Sequence, residues 1–362
     1  MPFLNNRLNT LKFFRETYDI TTHLQTQLFK SLILKITNFL LFAEKAQNLL
    51  KNAAILRLLT LVCSLYFNQL VVIFWSVQMT GKVTVANLID AKQQGRKVVA
   101  VSCYDYTTAR LVAQTDVEMI LVGDSAAQVI LGHDSTLPAT MDFMVAITAA
   151  VRRGAPNVCL VADMPFLSYQ LGIAEAVRNA GRFAVECGAQ MIKIEASSAY
   201  LGVIKAVSDA GMAVMAHIGI RPQSICRIGR FKAEASNAEM AAELIALAQQ
   251  MVNAGAVALL LEGVCAEVAK IITEQSDVPV ISCGSGPHCD GQILIAPDIL
   301  GLTQGHQPKF AKSFAGLGDA TIAAFAEYAG QVRAGKYPDT EHCYRMKDGE
   351  LDRLHKMLET NA

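Results

Sequence analysis

The chain has 362 residues, of which 52% are hydrophobic and 18% charged, and its formal net charge is zero. A chain of this length and apolar content buries a large core, and its scattered basic residues exclude the clustered positive surface typical of nucleic-acid-binding proteins. The nine cysteines form no C-x-x-C pair, which indicates reduced thiols in a cytoplasmic protein and argues against a zinc site.

Residues 1–78 differ from the rest of the chain. They carry eight Lys and Arg against three Asp and Glu, and residues 58–75 form an apolar run, interrupted by Asn68 and Gln69, that is just long enough to span a membrane. Three interpretations stay open: a membrane anchor, a targeting segment, or a translation start assigned too early, with Met79 as the natural first residue. The sharp change of composition favours the third, and membrane contact is expected only through this stretch.

From residue 98 onward, short apolar runs alternate with stretches of helical periodicity. Each run is typical of a strand buried on both faces, as in a parallel sheet. Eight strands are predicted, at 98–105, 119–125, 158–166, 191–197, 213–219, 258–264, 278–286 and 298–302. The apolar positions of 175–187 follow one face of a helix, and Gly188 marks its end. This alternation predicts an α/β fold, a (β/α)8 TIM barrel over residues 79–345, followed by a helical tail over 346–362.

Four of the predicted strands end in an acidic residue: ILVGD at Asp124, CLVAD at Asp163, MIKIE at Glu195 and ALLLE at Glu262. In a parallel barrel the carboxyl ends of the strands form the active face. A buried carboxylate is costly without a partner, so four acids at one face predict a shared site that takes a hard cation. Because no sulfur or paired imidazole lies nearby, Mg²⁺ is the expected ion, with Asp124 and Asp163 as the main ligands.

Lys193 and Glu262 are the other candidates for chemistry. Lys193 lies two residues before Glu195, so both side chains point to the barrel axis while the intervening isoleucine faces the helices. Three roles stay open for this lysine: binding a substrate carboxylate, forming a Schiff base with a keto acid, or pairing with a neighbouring acid. Glu262 follows three leucines, and a buried acid there is suited to act as a general base, with a salt bridge at the barrel rim as the alternative.

Three further segments carry weaker signals. His217 ends the fifth predicted strand, either as a hydrogen-bonded core residue or as a catalytic group. GHDSTLPAT (132–140) has loop composition and is predicted to cover a substrate. CGSGPHCDG (283–291) is glycine-rich and follows the seventh strand, where barrels often bind phosphate.

The segments between residues 80 and 343 resemble the ketopantoate hydroxymethyltransferase family. The matching segments are SCYDYTTARL, ILVGDS, GHDSTLPAT, AAVRRGAPN, ADMPF, MIKIE, AHIGIRPQS, LLLEGV, DGQILI and GHQPKFAK. GHDSTLPAT and RRGAP are the most specific of them. None of the first 78 residues takes part in the resemblance.

The resemblance implies a Mg²⁺-dependent barrel transferase of pantothenate biosynthesis. Such an enzyme moves a one-carbon unit from 5,10-methylenetetrahydrofolate to 3-methyl-2-oxobutanoate, and it is expected to be a cytoplasmic homo-oligomer. The implied roles are metal binding by Asp124, Asp163 and Glu195, keto-acid binding by Asp124, Ser125, Asp163 and Lys193, and proton acceptance by Glu262. For Lys193 this favours charge pairing over a Schiff base.

Two other functions stay open. One is a Mg²⁺-dependent carbon–carbon lyase or phosphonomutase of the phosphoenolpyruvate-type barrels, and the other is a membrane-tethered protein that only binds a keto acid. Two stretches also depart from the family pattern: ISCGSG (281–286) stands where the family commonly has I-G-x-G-A-G, and CRIGRFKAEA (226–235) where many relatives have glycine and tyrosine. These departures leave the folate contacts open.

Overall fold

The computed structural model describes residues 81–229, 232–305 and 307–360, so the predictions for residues 1–78 lie outside the described residues. Eight parallel strands close into a barrel in sequence order, with β8 pairing back onto β1. The strands are β1 (Val98–Ser102), β2 (Met119–Val122), β3 (Cys159–Asp163), β4 (Met191–Glu195), β5 (Ala213–Gly219), β6 (Ala256–Glu262), β7 (Val280–Cys283) and β8 (Gly291–Ile295). The predicted TIM barrel is confirmed.

One helix precedes β1, and others lie between most of the strands and after the last. They are α1 (Val85–Gln93), α2 (Tyr106–Val112), α3 (Ala126–Val129), α4 (Met141–Gly154), α5 (Ile173–Cys187), α6 (Leu201–Asp209), α7 (Ile225–Ile228), α8 (Ala238–Asn253), α9 (Ala266–Gln275), α10 (Ala296–Leu300), α11 (Leu317–Arg333) and α12 (Glu350–Thr360). In the three ranges that the structure describes, no helix combines the length and the apolar content that crossing a membrane requires.

The sequence predicts the eighth strand at 298–302, and this prediction is wrong. The strand is Gly291–Ile295, and the apolar run after it forms the short helix α10. Pro297 lies in the first turn of that helix, where its missing N–H group is not needed, and Gly301 at φ +66° ends it. The true strand gives a weak sequence signal because it is short and opens with a glycine and a glutamine.

Gly291 is what allows β8 to close the barrel. A Cβ atom at this position would lie 2.6 Å from the carbonyl oxygen of Val98 and 2.7 Å from the Ile281 side chain. The backbone of β1 therefore approaches Gly291 at a distance that only glycine permits.

Two apolar layers hold the barrel together. Met191, Met215 and Leu260 belong to a cluster inside it, while Ile192 and Phe183 belong to a second cluster between the strands and the helices. The alternation along β4 is therefore as predicted, because a strand turns successive side chains to opposite faces. Lys193 and Glu195 continue the inward series that Met191 begins.

The predicted helix over 175–187 is confirmed as α5. It ends at Gly188, which adopts the left-handed conformation at φ +64° and donates its N–H group to the Phe183 carbonyl oxygen. This conformation is accessible to glycine without the steric cost that other residues incur.

The segment after the barrel has an unusually exposed apolar surface. In α11 only Gly318 is buried, and Phe325 is 70% exposed. Ile322, Tyr328 and Val332 are exposed on the same side of the helix. On the barrel itself Val99 of β1 is 48% exposed, although a helix normally covers such a position.

Candidate active site

The sequence-predicted acids gather at the carboxyl-terminal rim of the barrel. Asp163, Glu195 and Glu262 are the last residues of β3, β4 and β6, and Asp124 lies two residues beyond the end of β2. Around the rim, neighbouring strands pair Asp163 with Lys193, Glu195 with His217, and Gly219 with Glu262. The rim therefore carries these side chains in a continuous arc from β2 to β6.

Asp163 and Lys193 form a buried ion pair. The Nζ atom of Lys193 lies 2.6 Å from Oδ2 of Asp163, and the backbone N–H group of Asp124 donates to the same oxygen at 2.9 Å. Burial acts to lower the pKa of Lys193, but the carboxylates of Asp163, Asp124 and Glu195 outweigh it and raise that pKa above its usual range. Burial raises the pKa of Asp163 while the ammonium group opposes this shift. We assign the pair as ionic because two donors converge on one carboxylate oxygen.

Glu195 is linked to Asp124 through Gln223. The backbone N–H group of Gln223 donates to Oε2 of Glu195 at 3.0 Å, and its side-chain Nε2 donates to Oδ2 of Asp124 at 2.9 Å. The Ser224 hydroxyl donates to Oε1 of Glu195 at 3.1 Å. Burial raises the pKa of Glu195, although His217 and the Gln223 N–H group act against this shift. Both oxygens of Glu195 thus have protein donors, and its connection to the aspartates is indirect.

Ser125 presents its hydroxyl to the same region. It is the N-cap residue of α3 but makes no side-chain hydrogen bond to that helix, and its Oγ instead lies 2.8 Å from the Tyr104 hydroxyl. Burial raises the pKa of Tyr104 above its usual range, so the phenol stays protonated. Ser125 is therefore held at the rim by a neutral partner.

Glu262 lies beside His217. Nε2 of His217 is 3.3 Å from Oε2 of Glu262, and neither ring nitrogen makes a hydrogen bond to the part of the chain that the structure describes. The imidazole is buried, whereas the Glu262 side chain is 23% exposed. The sequence predicts a buried Glu262, but its side chain is only partly buried. The three leucines before it are buried, whereas Glu262 lies at the strand end, where its carboxylate reaches solvent.

The backbone of Glu262 is fixed from both neighbouring strands. Its carbonyl oxygen accepts from the Ile220 N–H group at 2.8 Å, and the Gly263 N–H group donates to the Cys283 carbonyl oxygen at 2.9 Å. Ser285 also holds the backbone on both sides of Glu262. Its hydroxyl donates to the Leu261 carbonyl oxygen at 2.8 Å and accepts from the Val264 N–H group at 3.0 Å. Ser285 stands in the stretch that departs from the family pattern, so the departure supports this edge of the rim.

The rim offers two carboxylates to a cation. Oδ1 of Asp163 is buried and has no hydrogen-bond partner in the described residues, which is costly for a carboxylate oxygen. The same residues contain no group of three or more His, Cys, Asp or Glu arranged to hold a metal ion. Mg²⁺ usually takes one or two carboxylates and completes its shell with water and substrate, so Asp124 and Asp163 fit this ion. The metal-binding role of Glu195 stays a prediction.

Sequence patterns do not identify Gln223, Tyr104 or Tyr169, whose hydroxyl lies 2.7 Å from Oε1 of Gln223. The segment AHIGIRPQS contains Gln223 directly after a proline, and SCYDYTTARL contains Tyr104, but no spacing or composition marks either as a site residue. Their roles arise from contacts between distant parts of the chain, such as the 99 positions that separate Gln223 from Asp124. No local pattern reports such a contact.

A sequence model of ketopantoate hydroxymethyltransferase matches residues 82–340. The chain belongs to the ketopantoate hydroxymethyltransferase family. Similar relatives are the 3-methyl-2-oxobutanoate hydroxymethyltransferases of Syntrophomonas wolfei (43% identical, covering 76% of this chain and 100% of the relative) and Moorella thermoacetica (43% identical, 73% and 98%). A solved 2,3-dimethylmalate lyase superposes with a TM-score of 0.49 and 19% identity, over 77% of this chain and 98% of that one, which is too weak a likeness to bear on function.

Membership in the ketopantoate hydroxymethyltransferase family confirms the resemblance found in the sequence. The relatives are named as transferases, and the match includes every candidate residue from Asp124 to Glu262. The family name does not test the roles of individual residues. Those roles therefore stay predictions that the rim geometry supports.

Proposed function

We propose that the chain transfers a one-carbon unit from 5,10-methylenetetrahydrofolate to 3-methyl-2-oxobutanoate, giving 2-dehydropantoate. A C–H bond at C3 of the keto acid breaks, a C–C bond to the methylene carbon forms, water supplies the hydroxyl oxygen, and tetrahydrofolate leaves. The observation that carries this proposal is the buried Lys193–Asp163 pair beside Asp124, within a chain of this family. The product belongs to pantothenate biosynthesis.

The β2–β4 part of the rim would bind the keto acid. Asp124 and Asp163 would hold Mg²⁺, with Glu195 as the third acid of the site. When bound, the ion supplies Lewis acidity at the keto oxygen. Lys193 contributes positive charge for the carboxylate of the substrate, and Ser125 contributes a hydroxyl donor. A Schiff base is disfavoured because carboxylates keep the Lys193 amine protonated.

The β6 part of the rim would move the proton. Glu262 accepts the C3 proton, and the electron pair of the broken C–H bond forms the new bond to the folate-borne carbon. The partly open position of the Glu262 carboxylate lets it return the proton to water, and the imidazole of His217 limits its side-chain orientations.

The experiment that tests the function compares two substrates with the purified chain. Turnover of 3-methyl-2-oxobutanoate that requires both methylenetetrahydrofolate and Mg²⁺ supports the transferase. Cleavage of a C–C or C–P bond in a 2-oxo acid substrate without folate would instead support the lyase or phosphonomutase alternative. No such alternative is favoured by a specific contact at the rim.

We infer that residues 79–345 form the catalytic barrel and that 346–362 form a helical tail beside it. The status of residues 1–78 stays open between an anchor, a targeting segment and a start at Met79, and the intact mass of the natively expressed protein shows whether it begins at Met1 or Met79. We place the enzyme in the cytoplasm, a proposal supported by the free thiols of all eight cysteines in the described part.

We infer that the protein is a homo-oligomer. The exposed stripe of α11 and the exposed Val99 on the outer barrel wall are unusual for a monomer, since large apolar patches mark interfaces. In a TIM barrel the helix after β8 covers the outer face of β8 and β1. Here α11 keeps an exposed apolar stripe, and Val99 on the barrel wall stays uncovered. Both observations support a second copy of the chain as the partner that covers these surfaces.

A further inference from the structure

Gln223 occupies the centre of a hydrogen-bond network at the rim. It lies in the short 3-10 helix Pro222–Ser224 that follows β5, and it is 4% exposed. Its side chain and backbone contact residues from the ends of β2, β3 and β4. A polar side chain so deeply buried requires partners for all of its hydrogen-bonding atoms.

Every polar atom of the Gln223 amide has a partner. Nε2 donates to Oδ2 of Asp124 and to the Met164 carbonyl oxygen, both at 2.9 Å. Oε1 lies 2.7 Å from the Tyr169 hydroxyl, which also lies 2.9 Å from the Glu195 carbonyl oxygen and donates its single proton to one of these two acceptors at a time. A primary amide has two N–H donors, and the Met164 carbonyl oxygen accepts one of them, so this contact determines that Nε2 faces Asp124.

In each of the two aspartates, one carboxylate oxygen is hydrogen-bonded by the protein. Oδ2 of Asp124 is taken by Gln223, and Oδ2 of Asp163 is taken by Lys193 and by the Asp124 N–H group. Each aspartate therefore keeps Oδ1 for another ligand. Oδ1 of Asp163 is already buried and without a partner in the described residues.

We propose that Gln223 is a positioning residue for the cation site, holding the Asp124 carboxylate so that its Oδ1 stays available to Mg²⁺. This rests on the proposed function, since it takes Asp124 and Asp163 as the ligands. Hydrogen bonds to metal-ligating groups orient those groups, and their loss typically lowers metal affinity about 10–100-fold. Without the amide, the Asp124 carboxylate loses the hydrogen bond to Oδ2 that holds its orientation.

The test measures Mg²⁺ binding to the full chain by titration calorimetry, with Mg²⁺ as the only ligand and no turnover. Gln223→Met removes the amide at similar volume, and we expect its dissociation constant for Mg²⁺ to rise about 10–100-fold. Gln170→Leu is the matched control, because Gln170 touches the same Oε1 atom only at 3.4 Å and does not contact Asp124. Its affinity should equal that of the wild type.

A second variant keeps the test valid if Gln223→Met fails to fold. Tyr169→Phe removes only the hydroxyl beside Oε1 of Gln223, and we expect a rise in the Mg²⁺ dissociation constant smaller than that of Gln223→Met but larger than that of Gln170→Leu. A purely structural role for Gln223 predicts a lower melting temperature with an unchanged dissociation constant in the folded protein.

Two outcomes overturn the inference in distinguishable ways. Wild-type Mg²⁺ affinity in folded Gln223→Met and Tyr169→Phe, combined with lost binding in Asp124→Asn/Asp163→Asn, refutes the role of Gln223 alone. Unchanged Mg²⁺ binding in the double aspartate variant refutes the proposed cation site, and the positioning role with it.

Discussion

Asp163 and Glu262 occupy equivalent places, each at the end of its strand, yet their surroundings differ. Asp163 is fully buried and shares one oxygen between an ammonium group and a backbone N–H group. Glu262 is partly open and has one imidazole 3.3 Å away. A carboxylate held by two donors is poorly suited to exchange protons, whereas a partly open one can accept and release them. The surroundings therefore favour a cation site at β2–β4 and a proton acceptor at β6.

Glu262→Gln tests this division at the residue scale. The amide keeps the size of the side chain but cannot accept a proton, so we expect the variant to bind 3-methyl-2-oxobutanoate with unchanged affinity. Exchange of the C3 proton into deuterated water, followed by NMR, should fall at least about 100-fold. Glu267→Gln, which changes an exposed acid in α9, should exchange at the wild-type rate. Rapid exchange in Glu262→Gln would assign the base to another residue.

The ends of the strands are the elements that position these side chains. β5 ends at Gly219, with φ +100°, and a Cβ atom there would collide with the carbonyl oxygen of Glu262 and lie 2.7 Å from the Val264 side chain. The Ile220 N–H group hydrogen-bonds to that same carbonyl oxygen. Glycine at this position thus lets β5 approach β6 closely enough to fix the backbone of the proposed base.

Gly219→Ala tests the element scale. We expect it to combine left-handed backbone strain with displacement of Glu262, and to lower the free energy of unfolding by about 2–4 kcal/mol with a marked loss of turnover. Gly211→Ala is the control, because its φ is +88° but no atom lies within 4 Å of the added Cβ. This variant should lower the free energy of unfolding by only about 1 kcal/mol and retain wild-type turnover. Urea unfolding and steady-state rates measure both, and equal effects in the two variants would contradict the positioning argument.

At the scale of the whole molecule, the apolar interior of the barrel contains a cysteine thiol that must stay uncharged. Cys159 lies inside the barrel, and burial raises the pKa of its thiol from an ordinary 9.0 to about 12. Between these two values the unfolded chain loses the proton that the folded chain retains. Stability is therefore fully present below about pH 9 and is lost as the pH rises toward 12.

Cys159→Ala tests this alkaline destabilisation. Each such thiol lowers the free energy of unfolding by about 1.4 kcal/mol per pH unit in this window, so the variant should show a shallower fall between pH 9 and 10.5. The smaller alanine side chain also lowers the free energy of unfolding by an amount that is the same at every pH, so it does not change the slope against pH. Cys226→Ala removes an exposed cysteine and should leave the slope unchanged. Urea titrations at several pH values give the slopes, and parallel curves for wild type and Cys159→Ala would contradict the prediction.

The assembly is tested through the exposed stripe of α11. Ile322→Asp/Phe325→Asp places two charges in the proposed interface, and we expect the assembly to dissociate because desolvating unpaired charges is costly. Ala323→Asp introduces an aspartate on the opposite side of the helix and should leave the mass of the assembly unchanged. Analytical ultracentrifugation reports the mass, and a wild-type monomer would refute the homo-oligomer.

Much of the architecture follows from local pattern. Seven strands and the end of α5 at Gly188 were predictable because buried runs, helical spacing and a left-handed glycine leave signatures within about ten residues. The eighth strand was not, since a helix with a proline in its first turn has a stronger apolar pattern than the short β8. The exposure of Glu262 was also missed, because three leucines indicate a buried strand but not where its last side chain points.

The sequence by itself determined the barrel, the family and the strand-end acids, because each depends on residues that are close along the chain. Only the tertiary structure decided which atoms of those acids are free. The Lys193 contact with Asp163 spans 30 positions and that of Gln223 with Asp124 spans 99, and both form only when the barrel closes. Closure gives four similar acids different surroundings, which support the proposed cation site at Asp124 and Asp163 and the proposed proton acceptor Glu262 beside an imidazole.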